Sequence, residues 1–370
     1  MKMPAASDLS SVLSKITAAG PHTRLGLTPR SGDRVWNYDS DKSIAVHRLP
    51  DGLVGLGPAA TAQYVRQRPG QHDPIEVFVS DRQIVLDVDH GLGDGIFVLD
   101  LMTAIFDVAA DRTSGWMAKA DTRLILPRAL GRTFGLRPKR AWSALRFGAG
   151  LRSGTHLRTV SNTDGISDSW SPSLSVTVAH VGADAELAVD EWRRANIGTA
   201  GTSAVWLHVV REAMRAAGLP TSDRVMVLWD CRRYLPGGQA VHGNFLVGVE
   251  LPHSAGESLR TVISRIREST VSGFPLAVLG LASARTMYTP PAAPVRSLDR
   301  VGNPIASVVY TDMGRITALD ALPWWPDTDR CFTGLLDPSG PDGVTVFNTR
   351  LDDTRNIAIT YHDNVFDTSV

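Results

Sequence analysis

Cysteine is scarce in this sequence, since the 370 residues include only Cys231 and Cys331. The two lie about a hundred positions apart, a separation typical of neither a metal-binding motif nor a redox pair. The sequence therefore shows no sign of a cysteine-based metal centre or a disulfide framework. Because such low cysteine usage is typical of a reducing compartment, we predict a cytoplasmic location.

An excess of either charge is also absent. The chain has 38 basic and 38 acidic side chains and a pI near 7.2. No overall field therefore favours nucleic acid or an anionic membrane surface, and any charged partner must be recognised by a local patch. We predict that the protein does not bind nucleic acid.

Long apolar runs are missing as well. No stretch approaches the roughly 18 apolar residues that a membrane-spanning helix needs. The first residues also lack the apolar centre of a signal peptide, so we expect no transmembrane segment. The sequence has no Gly-Lys-Ser or Gly-Lys-Thr, which excludes a Walker-type phosphate loop.

The residues that are present are typical of a folded enzyme. Hydrophobic side chains make up 43% and charged ones 21% of the chain, which excludes general disorder and fibrous repeats. Because 370 residues exceed the size at which a single core usually stops growing, we expect two lobes. Alternating segments predict a mixed α/β fold with a substantial sheet. The predicted elements of the second half are helices at residues 202–217 and 257–272 and strands at residues 225–229, 245–251, 307–310, 344–349 and 357–361.

The region around His90 predicts a strand, a tight turn and a helix. Apolar residues alternate through residues 84–88, and His90 continues the face that Ile84 begins. We therefore expect His90 to end the strand, with its imidazole at the inner end if that face is buried. After two glycines, residues 96–106 are apolar nearly all round, which is typical of a buried helix.

A long basic region follows. Residues 122–163 contain nine basic side chains and no acidic one. Scattered glycines favour a crossover between a first lobe at residues 1–155 and a second at residues 156–370. The unopposed charge can bind an acidic carrier protein or the phosphates of coenzyme A; the alternative is a solvated linker. The candidate docking residues are Arg137, Lys139 and Arg140.

The run HGLGDG at residues 90–95 is the candidate catalytic segment. A histidine on a glycine turn can approach a substrate closely, and imidazole is the usual proton acceptor for a hydroxyl or amine that attacks a thioester. A lone histidine at a strand end is more often structural than catalytic. A dinucleotide-binding fingerprint is disfavoured, because Ile96 stands where the third glycine belongs and no acidic strand end follows about twenty residues on.

Several segments together resemble the chloramphenicol-acetyltransferase-like superfamily, which includes condensation domains, polyketide-associated acyltransferases and wax ester synthases. Residues 90–95 are similar to its HxxxDG motif. Asp230-Cys231-Arg232, followed by Gly243-Asn244-Phe245, is similar to the signature of the second lobe. Residues 307–314 are similar to a strand that carries Ser or Thr and then Asn, and residues 357–367 to the closing strand and turn.

The resemblance implies two similar lobes with a substrate tunnel between them, in which donor and acceptor meet at His90. It implies that His90 deprotonates the acceptor, a small molecule with a hydroxyl or amine. Asp94 would pair with Arg232 and, with Gly95, support the site. An acyl-CoA or a phosphopantetheine-linked acyl group would be the donor, without a metal, a bound cofactor or a covalent intermediate. The candidate tunnel residues are Asn244, Phe245, Thr311 and Asp312.

The sequence departs from the family pattern in places. Asp89 stands where many relatives have the first of two adjacent histidines, and Asp312 stands where asparagine is common. Because a carboxylate would not stabilise a developing oxyanion, we expect Asp312 to be oriented differently or to lie outside the oxyanion hole. The chain is also short at both ends for this family, which implies a trimmed channel or lost activity.

The leading hypothesis is an acyltransferase that forms an ester or amide from an acyl thioester, in secondary metabolism or lipid assembly. Two alternatives stay open. One is a catalytically silent condensation-like module that binds a carrier protein or a tethered intermediate. The other is a His90-dependent cyclisation or isomerisation on the same fold.

Overall fold

The structure is a computed structural model that describes residues 6–30, 33, 35–153, 171–198, 201–288, 304–326 and 329–366. The chain forms two compact units. The first comprises Met1–Ile125, Leu235–Phe245 and Ile316–Cys331. The second comprises Leu126–Tyr234, Leu246–Arg315 and Phe332–Val370. These units differ from two contiguous lobes, because two segments of the C-terminal half belong to the first unit.

The first unit is built on a three-stranded sheet. Its helices are α1 (Ala6–Ala18), α2 (Asp51–Val54), α3 (Pro58–Arg66) and α4 (Gly95–Ala109). Its strands are β1 (Leu27–Thr28), β2 (Asn37–Tyr38), β3 (Ala45–Arg48), β4 (Ile75–Val79) and β5 (Ile84–Val88). The main sheet has the order β3-β4-β5, with β3 parallel and β5 antiparallel to β4. Strands β1 and β2 form a separate pair.

The core of the first unit lies between α1, α4 and the sheet. Every residue of β4 is buried, as expected of a central strand. Leu13 of α1, Val77 of β4 and Phe97 of α4 belong to one buried cluster. The alternate face of β5 that begins at Ile84 packs against the same cluster. The structure thus confirms the predicted strand, its apolar face and the helix that follows.

The second unit contains a six-stranded sheet covered by helices. Its helices are α5 (Ile125–Leu130), which starts one residue before the unit, α6 (Pro138–Ser153), α7 (Ala183–Asn196), α8 (Thr202–Ala216), α9 (Leu259–Ser272) and α10 (Phe274–Tyr288). Its strands are β6 (Leu174–Val181), β7 (Thr221–Asp230), β8 (Leu246–Pro252), β9 (Ala306–Arg315), β10 (Gly343–Leu351) and β11 (Thr354–His362). The strand order is β6-β11-β10-β9-β7-β8. Strand β9 is parallel to both of its neighbours, and the other pairs are antiparallel.

The sequence of α8 explains how the sheet is covered. Its apolar residues recur every three or four positions, so they form one stripe along the helix. Trp206, Val210 and Met214 from this stripe share a buried cluster with Val225 of β7 and Val308 of β9. The predicted helices and strands of this half are all present. Strand β8 has the predicted length, and the other four strands are three to six residues longer than the sequence indicated.

The basic region is helical, and its prediction as an irregular crossover is wrong for residues 125–153. Helix α5, a π-helical turn at Gly131–Gly135 and α6 occupy it. Phe147 of α6 is buried and meets Phe274 of α10 edge-on, with ring centroids 5.3 Å apart. Burial of apolar side chains at helical spacing therefore stabilises a helix here despite the scattered glycines. Residues 154–163 of the predicted crossover lie outside the described residues.

A buried histidine in the second unit predicts a pH-dependent stability. His253 follows β8 and is 0% exposed. Burial, together with Arg211 and Arg215, lowers the pKa of His253 from 6.5 to about 4. Between pH 6.5 and about pH 4, His253 is therefore mostly protonated in the unfolded state and mostly neutral in the folded state. Full stability is present above the unfolded pKa, and we expect this group to lower the free energy of unfolding by about 2 kcal/mol between pH 7 and pH 5.

Urea unfolding at the two pH values measures this loss. The H253Q variant is expected to lack that part of the pH dependence, because it has no proton to bind. The matched control H180Q changes an exposed histidine of β6 and is expected to keep the wild-type dependence. Equal pH dependence in H253Q and the wild type would contradict the assignment.

Candidate functional site

The turn that carries His90 is fastened by the start of α4. Asp94 is the N-cap of this helix, and its Oδ1 atom accepts a hydrogen bond of 3.1 Å from the Ile96 amide. Such a cap satisfies one of the free amides of the first helical turn. Gly95 is the first residue of α4, and the Asp94 side chain is buried. Asp94 therefore determines where the turn meets the helix.

The Gly243-Asn244-Phe245 segment lies in the same unit and fastens the turn from the other side. The Phe245 amide donates to Asp94 Oδ2 at 3.0 Å. The Asn244 side-chain amide donates to the His90 carbonyl at 2.6 Å. The structure thus brings together two of the sequence-predicted segments, more than 140 positions apart, by direct hydrogen bonds.

His90 itself lies in this turn, two residues beyond the end of β5. His90 is exposed, so the expectation that it lies at the buried inner end of the strand is wrong. The strand stops at Val88 because Asp89 turns the chain: its Oδ1 atom accepts a hydrogen bond of 2.7 Å from the Gly91 amide. The imidazole is accordingly accessible, while its backbone is held by Asn244.

Arg24 and Asp121 also support the turn. Arg24 donates from Nη1 to the Leu92 carbonyl at 3.0 Å and pairs through Nη2 with Asp121 at 2.9 Å. Asp121 in turn accepts a hydrogen bond of 2.6 Å from the His242 amide. Arg24 passes so close to Gly243 that a Cβ there would lie 2.7 Å from Nη2. These contacts fix the position of the Gly243-Asn244-Phe245 segment relative to the turn.

His242 is a buried part of this support. Trp116 Nε1 donates to His242 Nδ1 at 2.5 Å. Since an indole N–H can only donate, Nδ1 is unprotonated and Nε2 carries the proton that it donates to the Lys119 carbonyl at 2.7 Å. Sequence reasoning missed Arg24, Trp116 and Asp121, because no local motif or spacing distinguishes them.

Replacing Asp94 tests how this turn is held. In D94A the cap is lost and the buried Phe245 amide has no acceptor, so we expect the free energy of unfolding to fall by about 2–4 kcal/mol. In D94N the amide oxygen can keep one of the two bonds, so we expect a smaller loss. Thermal or urea unfolding of both variants provides the measurement. Equal stability of D94A and the wild type would show that these two hydrogen bonds do not hold the turn.

Arg232 lies in the second unit, at the end of β7. Its amide donates to Asp230 Oδ1 at 2.9 Å, and its Nη1 atom lies 3.3 Å from the same oxygen. The predicted Asp94–Arg232 pair stays a prediction. Cys231, between Asp230 and Arg232 in the sequence, is buried. Burial raises the pKa of its thiol to about 12, which makes the thiol unsuited as a nucleophile.

Thr311 and Asp312 lie on β9 in the second unit. Burial raises the pKa of the Asp312 carboxyl from its ordinary value. Its Oδ1 accepts a 2.7 Å hydrogen bond from the Gly314 amide, and its Oδ2 accepts one of 3.3 Å from the Tyr310 hydroxyl. Asp312 is thus held in a local network, and the place of both residues in a tunnel stays a prediction. A cavity of about 330 Å³ beside them is lined by Gly201, Thr202, Ser203, Asp312, Met313, Gly314, Arg315, Arg350 and Arg355.

The candidate docking residues differ in what they contact. Arg137 and Lys139 are exposed. Arg140 is half-buried, donates from Nε to the Val271 carbonyl at 2.7 Å and lies 5.6 Å from the Tyr234 ring centroid. Arg140 therefore has a structural role in the second unit, and docking by Arg137 and Lys139 stays a prediction.

One group of potential metal ligands occurs among the described residues. It consists of His72, Glu76 and Asp87 in the first unit. Arg68 pairs with Glu76, and its Nη2 atom lies 2.9 Å from His72 Nδ1 and 3.8 Å from Asp87 Oδ2. Because the guanidinium already supplies the positive charge, we assign the group to an ion-pair network.

No protein-family model and no curated protein sequence matches the chain. Solved structures do match it. The condensation domain from the Monacolin K polyketide synthase MokA superposes with a TM-score of 0.62 at 12% identity, over 99% of this chain and 86% of that domain. The chain therefore has the fold of this condensation domain, as the resemblance in the sequence implied.

Two further structures show which proteins share this fold. TRI3 trichothecene 15-O-acetyltransferase from Fusarium sporotrichioides matches with a TM-score of 0.57 at 13% identity, covering 98% of this chain and 83% of that one. The epimerization domain from the third module of tyrocidine synthetase B matches with a TM-score of 0.55 at 11% identity, covering 97% and 85%. At these identities the likeness concerns the fold.

Proposed function

We propose that the protein is an acyltransferase in which His90 assists the attack of an acceptor hydroxyl or amine on an acyl thioester. The observation that carries this proposal is the exposed His90 on a turn held by Asp94 and Asn244. A catalytic base needs both access to substrate and a fixed backbone, and this turn provides both. We expect natural-product or lipid biosynthesis as its setting.

The reaction needs one base and no resident cofactor. An imidazole nitrogen of His90 accepts the acceptor proton while the acceptor oxygen or nitrogen forms a bond to the thioester carbonyl carbon. The carbon–sulfur bond then breaks, and the thiolate takes the proton from the imidazolium. The products are an ester or amide and a free thiol, so the protein returns to its starting state.

The donor is an acyl group on coenzyme A or on a carrier protein. The neighbours named as condensation domains and as an acetyltransferase support this class of donor and reaction. A carrier protein is accordingly the proposed macromolecular partner, with a small molecule as acceptor. Among the described residues, no helix is both long enough and apolar enough to cross a membrane.

An epimerization domain among the neighbours supports a second candidate. On the same turn, His90 would then move a proton on a tethered chain in an isomerisation or cyclisation, or the module would bind such a chain without reacting. These alternatives differ from acyl transfer in their products, because none of them joins a separate acceptor to the acyl group.

Free-thiol release from a panel of acyl thioesters distinguishes the candidates. The panel contains acyl-CoA and acyl-carrier-protein donors, each incubated with and without alcohol and amine acceptors. Acyl transfer predicts thiol release that depends on the acceptor, with an ester or amide detected by mass spectrometry. Absence of any acceptor-dependent product across the panel would favour the silent module or the isomerase.

A further inference from the structure

The second unit has an outward face on which apolar side chains protrude among basic ones. Leu136 is 79%, Trp142 63% and Leu145 66% exposed. In α6, Trp142 lies three residues after Lys139, and Leu145 and Arg146 lie three and four residues after Trp142, so the four share one side of the helix. We call Leu136 and this side of α6 the α6 outer face.

The opposite side of α6 is committed to the core, which keeps the α6 outer face outward. Ala144 and Phe147 are buried, and Phe147 contacts Phe274 of α10. Gly148 leaves room for that ring, because a Cβ there would lie 2.6 Å from it. Helix α6 therefore cannot rotate to bury Trp142 and Leu145 without losing this packing.

The ionisable side chains of α6 and of α10, which packs against it, carry charge of one sign. Residues 126–153 and 274–288, which include α6 and α10, contain eight basic side chains and no acidic one. The chain as a whole has 38 of each charge, so the positive charge is concentrated locally. The eight are Arg128, Arg132, Arg137, Lys139, Arg140, Arg146, Arg152 and Arg285.

We propose that the α6 outer face docks on an anionic phospholipid membrane. Protruding tryptophan and leucine side chains on a convex helix suit a deformable medium, into which they insert at the headgroup level. Lys139 and Arg146 stand beside them, where their long side chains reach lipid phosphates. A soluble acidic protein would satisfy the charge but would need a groove for Trp142 and Leu145.

This contact is peripheral and separate from the acyl-transfer proposal. It concerns where the protein lies in the cell, and none of its residues belongs to the His90 turn. The W142S/L145S variant, which leaves Lys139 unchanged, is therefore expected to keep wild-type thiol release with soluble substrates. Failure of one proposal leaves the other unaffected.

Vesicle flotation of the full chain tests the proposal. We expect the protein to float with vesicles of phosphatidylcholine and phosphatidylglycerol and not to bind vesicles of pure phosphatidylcholine. We expect high salt to dissociate it from the anionic vesicles. The double variant W142S/L145S is expected to weaken binding by about tenfold or more. The variant K139Q/R146Q is expected to weaken it by about fivefold for each charge removed.

The control is L187S/W192S, which removes a leucine and a tryptophan of similar exposure from α7. It is expected to float like the wild type, and thermal unfolding checks that every variant is folded. Equal flotation of W142S/L145S and the wild type would overturn the proposal. An absence of vesicle binding by the wild type would also overturn it. If, in that case, an added acidic carrier protein cross-links to the α6 outer face, the face would be assigned to a protein partner instead.

Discussion

The H90A variant is expected to lose acceptor-dependent thiol release by about 10²–10⁴-fold, the contribution of a positioned general base. The loss should appear in kcat, because the imidazole acts on the proton that moves in the transition state. Stability should change little, since the side chain is exposed and the turn is held through the His90 carbonyl, which alanine keeps. Steady-state kinetics with the best donor and acceptor of the panel provide the measurement.

A matched control separates a catalytic histidine from a general effect. His180 is also an exposed histidine, and H180A is expected to keep wild-type turnover. Unchanged product formation by H90A would refute acyl transfer by His90. An H90A protein that keeps its melting temperature but forms no product would support it, since loss of folding is then excluded as the cause.

The E186A variant is expected to lower the free energy of unfolding by about 3–5 kcal/mol. This is the typical cost of removing one partner of a buried ion pair, because the other charge stays buried without compensation. Glu186 of α7 accepts two hydrogen bonds from Arg355 of β11, at 2.9 and 2.8 Å. Both side chains are almost fully buried, and the guanidinium also lies 4.6 Å from the Trp206 ring centroid. Without Glu186 the Arg355 charge would be buried without its bidentate partner.

Denaturant unfolding of three variants tests this. The control E191A removes an exposed glutamate from the same helix and is expected to change stability by less than about 0.5 kcal/mol. The double variant E186M/R355M is expected to recover part of the E186A loss, because neither charge is then buried alone. A loss below about 1 kcal/mol in E186A would contradict a central role for the pair.

Local patterns sufficed to predict most elements of this fold. The alternation through residues 84–88 depends only on the two-residue period of a strand, so β5 and its apolar face were predictable. The same holds for α8, whose apolar stripe has the period of a helix. The region at residues 125–153 was mispredicted because its glycines suggested a loop, while burial of Phe147 against Phe274 stabilises a helix there.

The candidate site was predictable in part. The HGLGDG run and the Gly243-Asn244-Phe245 segment were identified through resemblance, and their direct contact appears only in the structure. Arg24 and Asp121, which brace the same turn, were not predictable, because nothing in the sequence shows that positions 97 apart meet. The exposure of His90 was also not predicted. The apolar alternation of β5 ends at Val88, two residues before His90, because Asp89 turns the chain there.

The sequence by itself determined the periodic elements, the even balance of charge and the chemistry available at His90, because these depend on residue type and short spacing alone. Only the tertiary structure decided that a segment from the C-terminal half joins the first unit and holds the His90 turn, and that the basic region forms a helix with an apolar outer side. Both results depend on contacts between distant positions, whose free energy is gained only when the chain packs.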